Sequence, residues 1–235
     1  MRLSSRGMLS SRAFTLLSSR AQRGICCTAL PICFLSLASA LNAQIPSSIE
    51  FRVPKPPTVA VNDSGGVLGY ELHITNFTAA PVKLTRIDVL DQNGATVGSL
   101  ADSALLRAIA RPGLPQRPPD LATIGGGLRA IVYFWLRVDA NRPPTQIHHR
   151  LLIARGPADS IKETLEGAAV PVTPRAVEIS PPFGGQWAAL NGPSNASGHR
   201  RLVLALGGAD ASAQRFAIDY LKVDSTGKSH SGDPT

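Results

Sequence analysis

Residues 67–77 (VLGYELHITNF) alternate, with Leu68, Tyr70, Leu72 and Ile74 on one side and Glu71, His73 and Thr75 on the other. A period of two belongs to an extended strand with one face in a core and the other towards solvent. The next segments repeat the theme. Residues 76–81 form a turn and residues 82–90 (VKLTRIDVL) a second strand. Asp91-Gln92-Asn93-Gly94 then supplies turn chemistry, because Asn-Gly readily takes positive φ, and residues 95–100 return antiparallel.

A short helix is predicted over 102–109 (DSALLRAI), capped by Asp102 or Ser103. Residues 111–120 (RPGLPQRPPD) hold four prolines and exclude regular structure. Residues 128–138 (LRAIVYFWLRV) make the most apolar strand, expected at the centre of a sheet, and residues 146–154 (QIHHRLLIA) follow after the Asn141-Arg142-Pro143-Pro144 turn. Gly (21) and Pro (19) are too dense for a helical bundle. Short antiparallel strands with turns at this spacing predict a mainly β chain whose residues 44–172 form an immunoglobulin-like antiparallel sandwich.

The N-terminus follows different rules. Residues 1–43 carry Arg2, Arg6, Arg12, Arg20 and Arg23 and no acidic residue, then an apolar run over 25–41 ending in Ala38-Ser39-Ala40 and Asn42-Ala43. A basic start, a short apolar core and a small-residue end make a secretory signal peptide over 1–43, cleaved after Ala40 or Ala43, with Met8 an alternative start. The chain is thus expected to be exported, to the periplasm or the exterior, touching a membrane only through the uncleaved signal. Its removal leaves 19 of the 24 basic residues against 16 acidic ones, so the formal charge falls from +8 to +3. The basic excess therefore does not argue for a nucleic-acid partner. Cys26, Cys27 and Cys33 leave with the signal, so the mature chain has no disulfide and no thiolate metal site.

From Val170 the texture changes. Pro171, Pro174, Pro181, Pro182, Gly184, Gly185, Gly192 and Pro193 read as a linker over 173–198, passing along a surface. Strands are predicted again at 201–206 (RLVLAL) and 216–223 (FAIDYLKV). Two strands cannot bury a core alone, so residues 199–235 are expected to be the incomplete start of a further β domain, unless they join the first.

Local motifs for catalysis are sparse. There is no G-x-S-x-G, H-E-x-x-H, phosphate loop or C-x-x-C. Gly125-Gly126-Gly127 precedes a strand and not a helix, and so reads as a turn. His148 and His149 are adjacent on a strand and point to opposite faces, which keeps them from sharing a metal.

One stretch carries a resemblance. Gly185-Gln186-Trp187, the run from Asn191 to Arg201 (NGPSNASGHRR), the run from Gln214 to Tyr220 (QRFAIDY) and Gly232-Asp233-Pro234 resemble the lead-in of exported lysostaphin-type zinc metallopeptidases, the peptidoglycan endopeptidases. The resemblance covers about 50 residues; the preceding domain matches only in texture. It implies zinc bound by an H-x-x-x-D pair and a later H-x-H. Asp219 matches the Asp, while Arg215 stands where the His belongs and cannot donate a lone pair to a metal. His199 is a candidate substitute ligand from outside the motif, and the H-x-H is absent. The alternative for Asp219 is a structural role, such as a hydrogen bond to Arg215.

The expectation is an N-terminal part of such a peptidase that lacks a complete zinc site, binds no zinc and hydrolyses nothing, with peptidoglycan as partner and zinc as the cofactor of complete relatives. The competing expectation is a free-standing exported binding or adhesion module.

Overall fold

A computed structural model describes residues 47–63, 65–114, 119–229 and 232. The signal-peptide expectation for 1–43 lies outside these residues. Among them no helix is long and apolar enough to cross a membrane.

The strands predicted from alternation form as two antiparallel sheets. The first contains β1 (Ile49–Arg52), β2 (Val59–Asn62), β3 (Gly65–Asn76), β6 (Ile109–Ala110) and β8 (Arg129–Val138), in the order β1-β3-β8-β6 with β2 also on β3. The second contains β4 (Val82–Asp91), β5 (Thr96–Ala101), β7 (Thr123–Ile124), β9 (Gln146–Arg155), β10 (Ile161–Glu166) and β11 (Val170–Pro171) around the order β10-β9-β4-β5. The central pairs, β3 with β8 and β4 with β9, belong to different sheets. That division, with consecutive strands crossing between layers, is the immunoglobulin-like sandwich.

β3 and β8 pair along their whole length, from Gly66 opposite Val138 to Thr75 opposite Arg129. Their inward rows, Leu68, Tyr70, Leu72 and Ile74 with Ala130, Val132 and Phe134, meet Ile87 and Val89 of β4 and Ile147, Leu151 and Ile153 of β9. All are buried, so the alternation placed the core correctly. His149 joins them from β9 while His148 points outward, as adjacent strand residues must. The Tyr70 hydroxyl and His149 Nε2 share a hydrogen bond of 2.9 Å, and the Tyr70 ring stacks on Phe134 at 5.0 Å. Burial, then the neighbouring His148, pulls the His149 pKa down to about 4. This histidine is neutral core, satisfied by a tyrosine.

The turns follow their chemistry. Asp91 Oδ1 accepts from the backbone N–H groups of Asn93 and Ala95, and Gly94 takes φ 79°. Gly125 to Leu128 is a turn, closed by the Leu128 N–H on the Gly125 carbonyl. The helix α1 (Asp102–Ala108) departs from expectation at its start. Ala101 is its N-cap, no side chain caps it, and Asp102 sits at φ 47° within the first turn.

The C-terminal part differs more. The sandwich does not stop at residue 172: the Thr173 N–H donates to the Pro57 carbonyl and the Ala176 N–H to that of Val59. Within the stretch expected to be pure linker, β12 (Trp187–Leu190) pairs with β15 (Asp219–Lys222). The strand expected over 201–206 begins as a helical turn, α2 (Gly198–Arg201), and only then becomes β13 (Leu204–Leu206), which pairs with β14 (Ala209–Ala211). Polar Ser197 and the flexible Gly198 favour a turn whose backbone bonds close locally, the Arg201 N–H on the Ser197 carbonyl. Both ribbons are two-stranded, and neither adds a strand to the sandwich sheets.

Candidate functional site

The row Glu71, His73 and Thr75, expected to face solvent, is buried: Glu71 is 1% exposed, His73 5% and Thr75 8%. The opposing outward row of β8 contributes Ile131 and Tyr133, also buried. Around these residues the first sheet is therefore covered on both faces, one by the second sheet and the other by the chain from about Ser194 to Ala217, while Trp135 further along β8 stays exposed.

Arg200 is the centre of that cover. It is 0% exposed and its Nη1 donates to Glu71 Oε1 at 2.6 Å. Its Nη2 donates to the carbonyls of Tyr70 and Phe134, at 2.9 and 3.2 Å, bridging β3 and β8. Its guanidinium lies 5.7 Å from the Tyr133 ring centre and 5.8 Å from that of Phe216, within cation–π range. Arg215 Nε donates to both Glu71 oxygens, at 2.8 and 2.9 Å. One buried carboxylate thus answers two guanidinium groups. Burial lowers the Arg200 pKa while Glu71 opposes the shift. Burial also pushes the Tyr133 phenol up to about 12, with the Glu71 charge adding to it. Asn195 Nδ2 donates to the Tyr133 carbonyl and Arg201 Nη2 to that of Arg107, tying both flanks of α2 to the sandwich.

A second cluster forms one strand-row further along. Asp210 of β14 accepts from Arg52 Nη2 at 2.7 Å and Arg129 Nη1 at 2.9 Å, and its Oδ2 lies against His73 Nδ1. Burial alone would raise the Asp210 pKa, yet these cationic and hydrogen-bonding neighbours hold it below its ordinary value. Burial lowers the His73 pKa despite Asp210, so the imidazole is neutral near pH 7.

The two candidate zinc ligands come together. His199 Nε2 is 3.5 Å from Asp219 Oδ2, although twenty residues separate them. Asn191 Nδ2 donates to the same oxygen at 3.0 Å, and His199 Nδ1 is buried without a hydrogen-bond partner. Arg215 goes to Glu71 and not to Asp219, so the structural alternative for Asp219 takes other partners than expected. Among the described residues no group of three His, Cys, Asp or Glu side chains is placed to hold a metal. The donors present, one imidazole and one carboxylate, fall short of the roughly three protein ligands of a catalytic zinc.

Sequence reasoning missed Glu71, Arg200, His73 and Asp210 because their partners lie 129 residues away in the first pair and in a distant ribbon in the second. A signal was present: the apolar run over 128–138 has large apolar side chains in both alternating rows. Such a strand needs cover on both faces.

No family model and no curated protein matches the chain. Among solved structures, a structural-genomics target designated SoR45 is 13% identical over 60% of this chain and 99% of its own, with a TM-score of 0.34. A protein from Bordetella pertussis with the provisional name ApaA is 14% identical over 57% and 99%, at 0.31. The ASH/PapD-like domain 7 of human CEP192 is 14% identical over 62% and 99%, at 0.28.

Proposed function

We propose that the chain is the exported front part of a lysostaphin-type zinc peptidase acting on peptidoglycan. Its sandwich serves as a platform that fixes the lead-in segment of the metallopeptidase-like region. The observation that supports this reading is the meeting of His199 and Asp219 at 3.5 Å, on a segment anchored to the sandwich through Arg200, Arg215 and Glu71. A platform of this kind presets the position of donors that a flexible linker would leave scattered.

Zinc, in complete relatives, polarises a peptide carbonyl and activates water. His199 and Asp219 are two of the roughly three donors that such a zinc requires, and Arg215 stands where the family has a histidine. The chain's partner is peptidoglycan, outside the cytoplasm, and nucleic acid is not among its ligands. A second reading, a free-standing exported binding or adhesion module, draws on the back-folding of residues 194–217 over the outer sheet face, which buries Glu71, His73 and Tyr133.

Reading the nucleotide sequence past the Thr235 codon, in three frames over about 150 codons, separates the two. A Gly-rich β pattern with His-x-His supports the peptidase lineage. A stop without that pattern overturns it and leaves the binding module.

A further inference from the structure

Arg52 and His73 stand directly opposite one another on β1 and β3, and Arg129 lies on β8 opposite Thr75, with its Nε 3.4 Å from the Thr75 hydroxyl. Three neighbouring strands therefore aim two guanidinium groups and a buried imidazole at one point. A carboxylate sits there, and it is borrowed from Asp210 on a short two-stranded ribbon. The ribbon is two three-residue strands joined by Gly207-Gly208, both at positive φ, and its Leu204 and Leu206 are exposed. A two-stranded ribbon of that size is marginal by itself. Beside it lies an open surface groove lined by both arginines and by Leu204, Ala205, Gly208 and Asp210.

We propose that Arg52, His73 and Arg129 form a carboxylate-binding site on the outer face of the first sheet, occupied in cis by Asp210, and that it accepts the carboxylate of a small organic acid. Each Asp210 oxygen has its own guanidinium donor, Arg52 on Oδ1 and Arg129 on Oδ2. Any carboxylate can take that two-point arrangement in its place. His73 Nδ1 lies against Oδ2 on the third side, and Glu50 Oε1 is 3.8 Å from Arg52 Nε. A ligand carboxylate entering along the groove displaces Asp210 and lifts the ribbon. The site is independent of zinc and of the peptidase lineage, and it fails or holds apart from them.

The test uses the purified protein with N-acetyl-alanyl-alanine and its C-terminal amide, following the His73 ring by NMR. The free acid is expected to bind weakly to the wild type and at least roughly tenfold more tightly to Asp210→Asn, because the internal competitor is gone. The amide is expected not to bind, and Arg129→Met in the Asp210→Asn background is expected to abolish binding. Equal affinity of Asp210→Asn and wild type, or equal affinity for acid and amide, overturns the proposal. A second readout does not depend on any variant's folding. In the wild type, a saturating concentration of the acid accelerates amide exchange across residues 204–211, and unchanged exchange there also overturns it.

Discussion

Replacing Glu71 by leucine leaves Arg200, which is 0% exposed, and Arg215 without the carboxylate that both address at 2.6 to 2.9 Å. Removing one partner of a buried pair is destabilising by about 3–5 kcal/mol, since the stranded charge has lost its water and its counter-ion. The penalty need not unfold the sandwich, because Leu68, Tyr70, Leu72 and Ile74 lie on the opposite face of β3 and keep their packing. It is relieved by lifting residues 195–217, a local opening. About 3 kcal/mol corresponds to roughly a hundredfold in the opening equilibrium. Amide exchange measured by mass spectrometry is therefore expected to speed up about a hundredfold across 195–217, with β3 and β8 still protected. Arg200→Met is expected to be milder, since Arg215 still serves Glu71. The Glu71→Leu, Arg200→Met double variant should lose less than the sum of the two, by about 1 kcal/mol or more. Exchange across 195–217 within twofold of wild type in Glu71→Leu would refute the reasoning.

His149, pulled down to about 4 by burial, takes a proton in the unfolded chain near its ordinary 6.5. The unfolded state binds more protons between those values, so stability is complete above about 6.5, falls as pH drops towards 4 and levels off below, by about 3 kcal/mol in all. Urea unfolding at pH 7.5 and pH 4 is expected to show a loss larger in the wild type than in His149→Leu, which keeps the contribution of His73; a wild-type-specific difference under about 1 kcal/mol contradicts it. Tyr70→Phe, which strips His149 of its 2.9 Å partner, is expected to lower stability by about 1–3 kcal/mol in the same assay at pH 7.5. Gly126→Ala is expected to lower it by about 1–3 kcal/mol, because a Cβ there meets the carbonyl oxygens of Thr78 and Ala79 at 2.6 Å, and backbone does not yield easily. An unchanged thermal midpoint would contradict this.

What the sequence made legible was whatever depends on neighbours a few residues apart. The β3 alternation fixed which side chains enter the core, Asp91 and Gly94 marked their turn, and the adjacency of His148 and His149 separated their faces. The outer face of β3 was misjudged for a physical reason. Period two tells which residues share a face, but not whether another part of the chain covers that face. Glu71 and His73 are polar, as a solvated row would be, yet they are buried against Arg200 and Asp210, which read as parts of a further, incomplete β domain. Likewise α2 replaced the start of a predicted strand because the Ser197 carbonyl closes a turn with the Arg201 N–H, a bond that hydrophobic pattern alone does not reveal. The approach of His199 to Asp219 depends on β12 pairing with β15, which no local spacing encodes.

The account rests on residues 194–217 being docked on the sandwich and not trailing from it, and trypsin reads that directly. Arg175 has a side chain 80% exposed, whereas Arg200 is fully buried and the Arg215 side chain is 14% exposed. Brief digestion of the folded protein, analysed by mass spectrometry, is expected to cut after Arg175 well before Arg200 or Arg215, with the piece from Ala176 onwards staying bound to the sandwich on gel filtration. Cleavage after Arg200 and Arg215 as fast as after Arg175 would contradict the account.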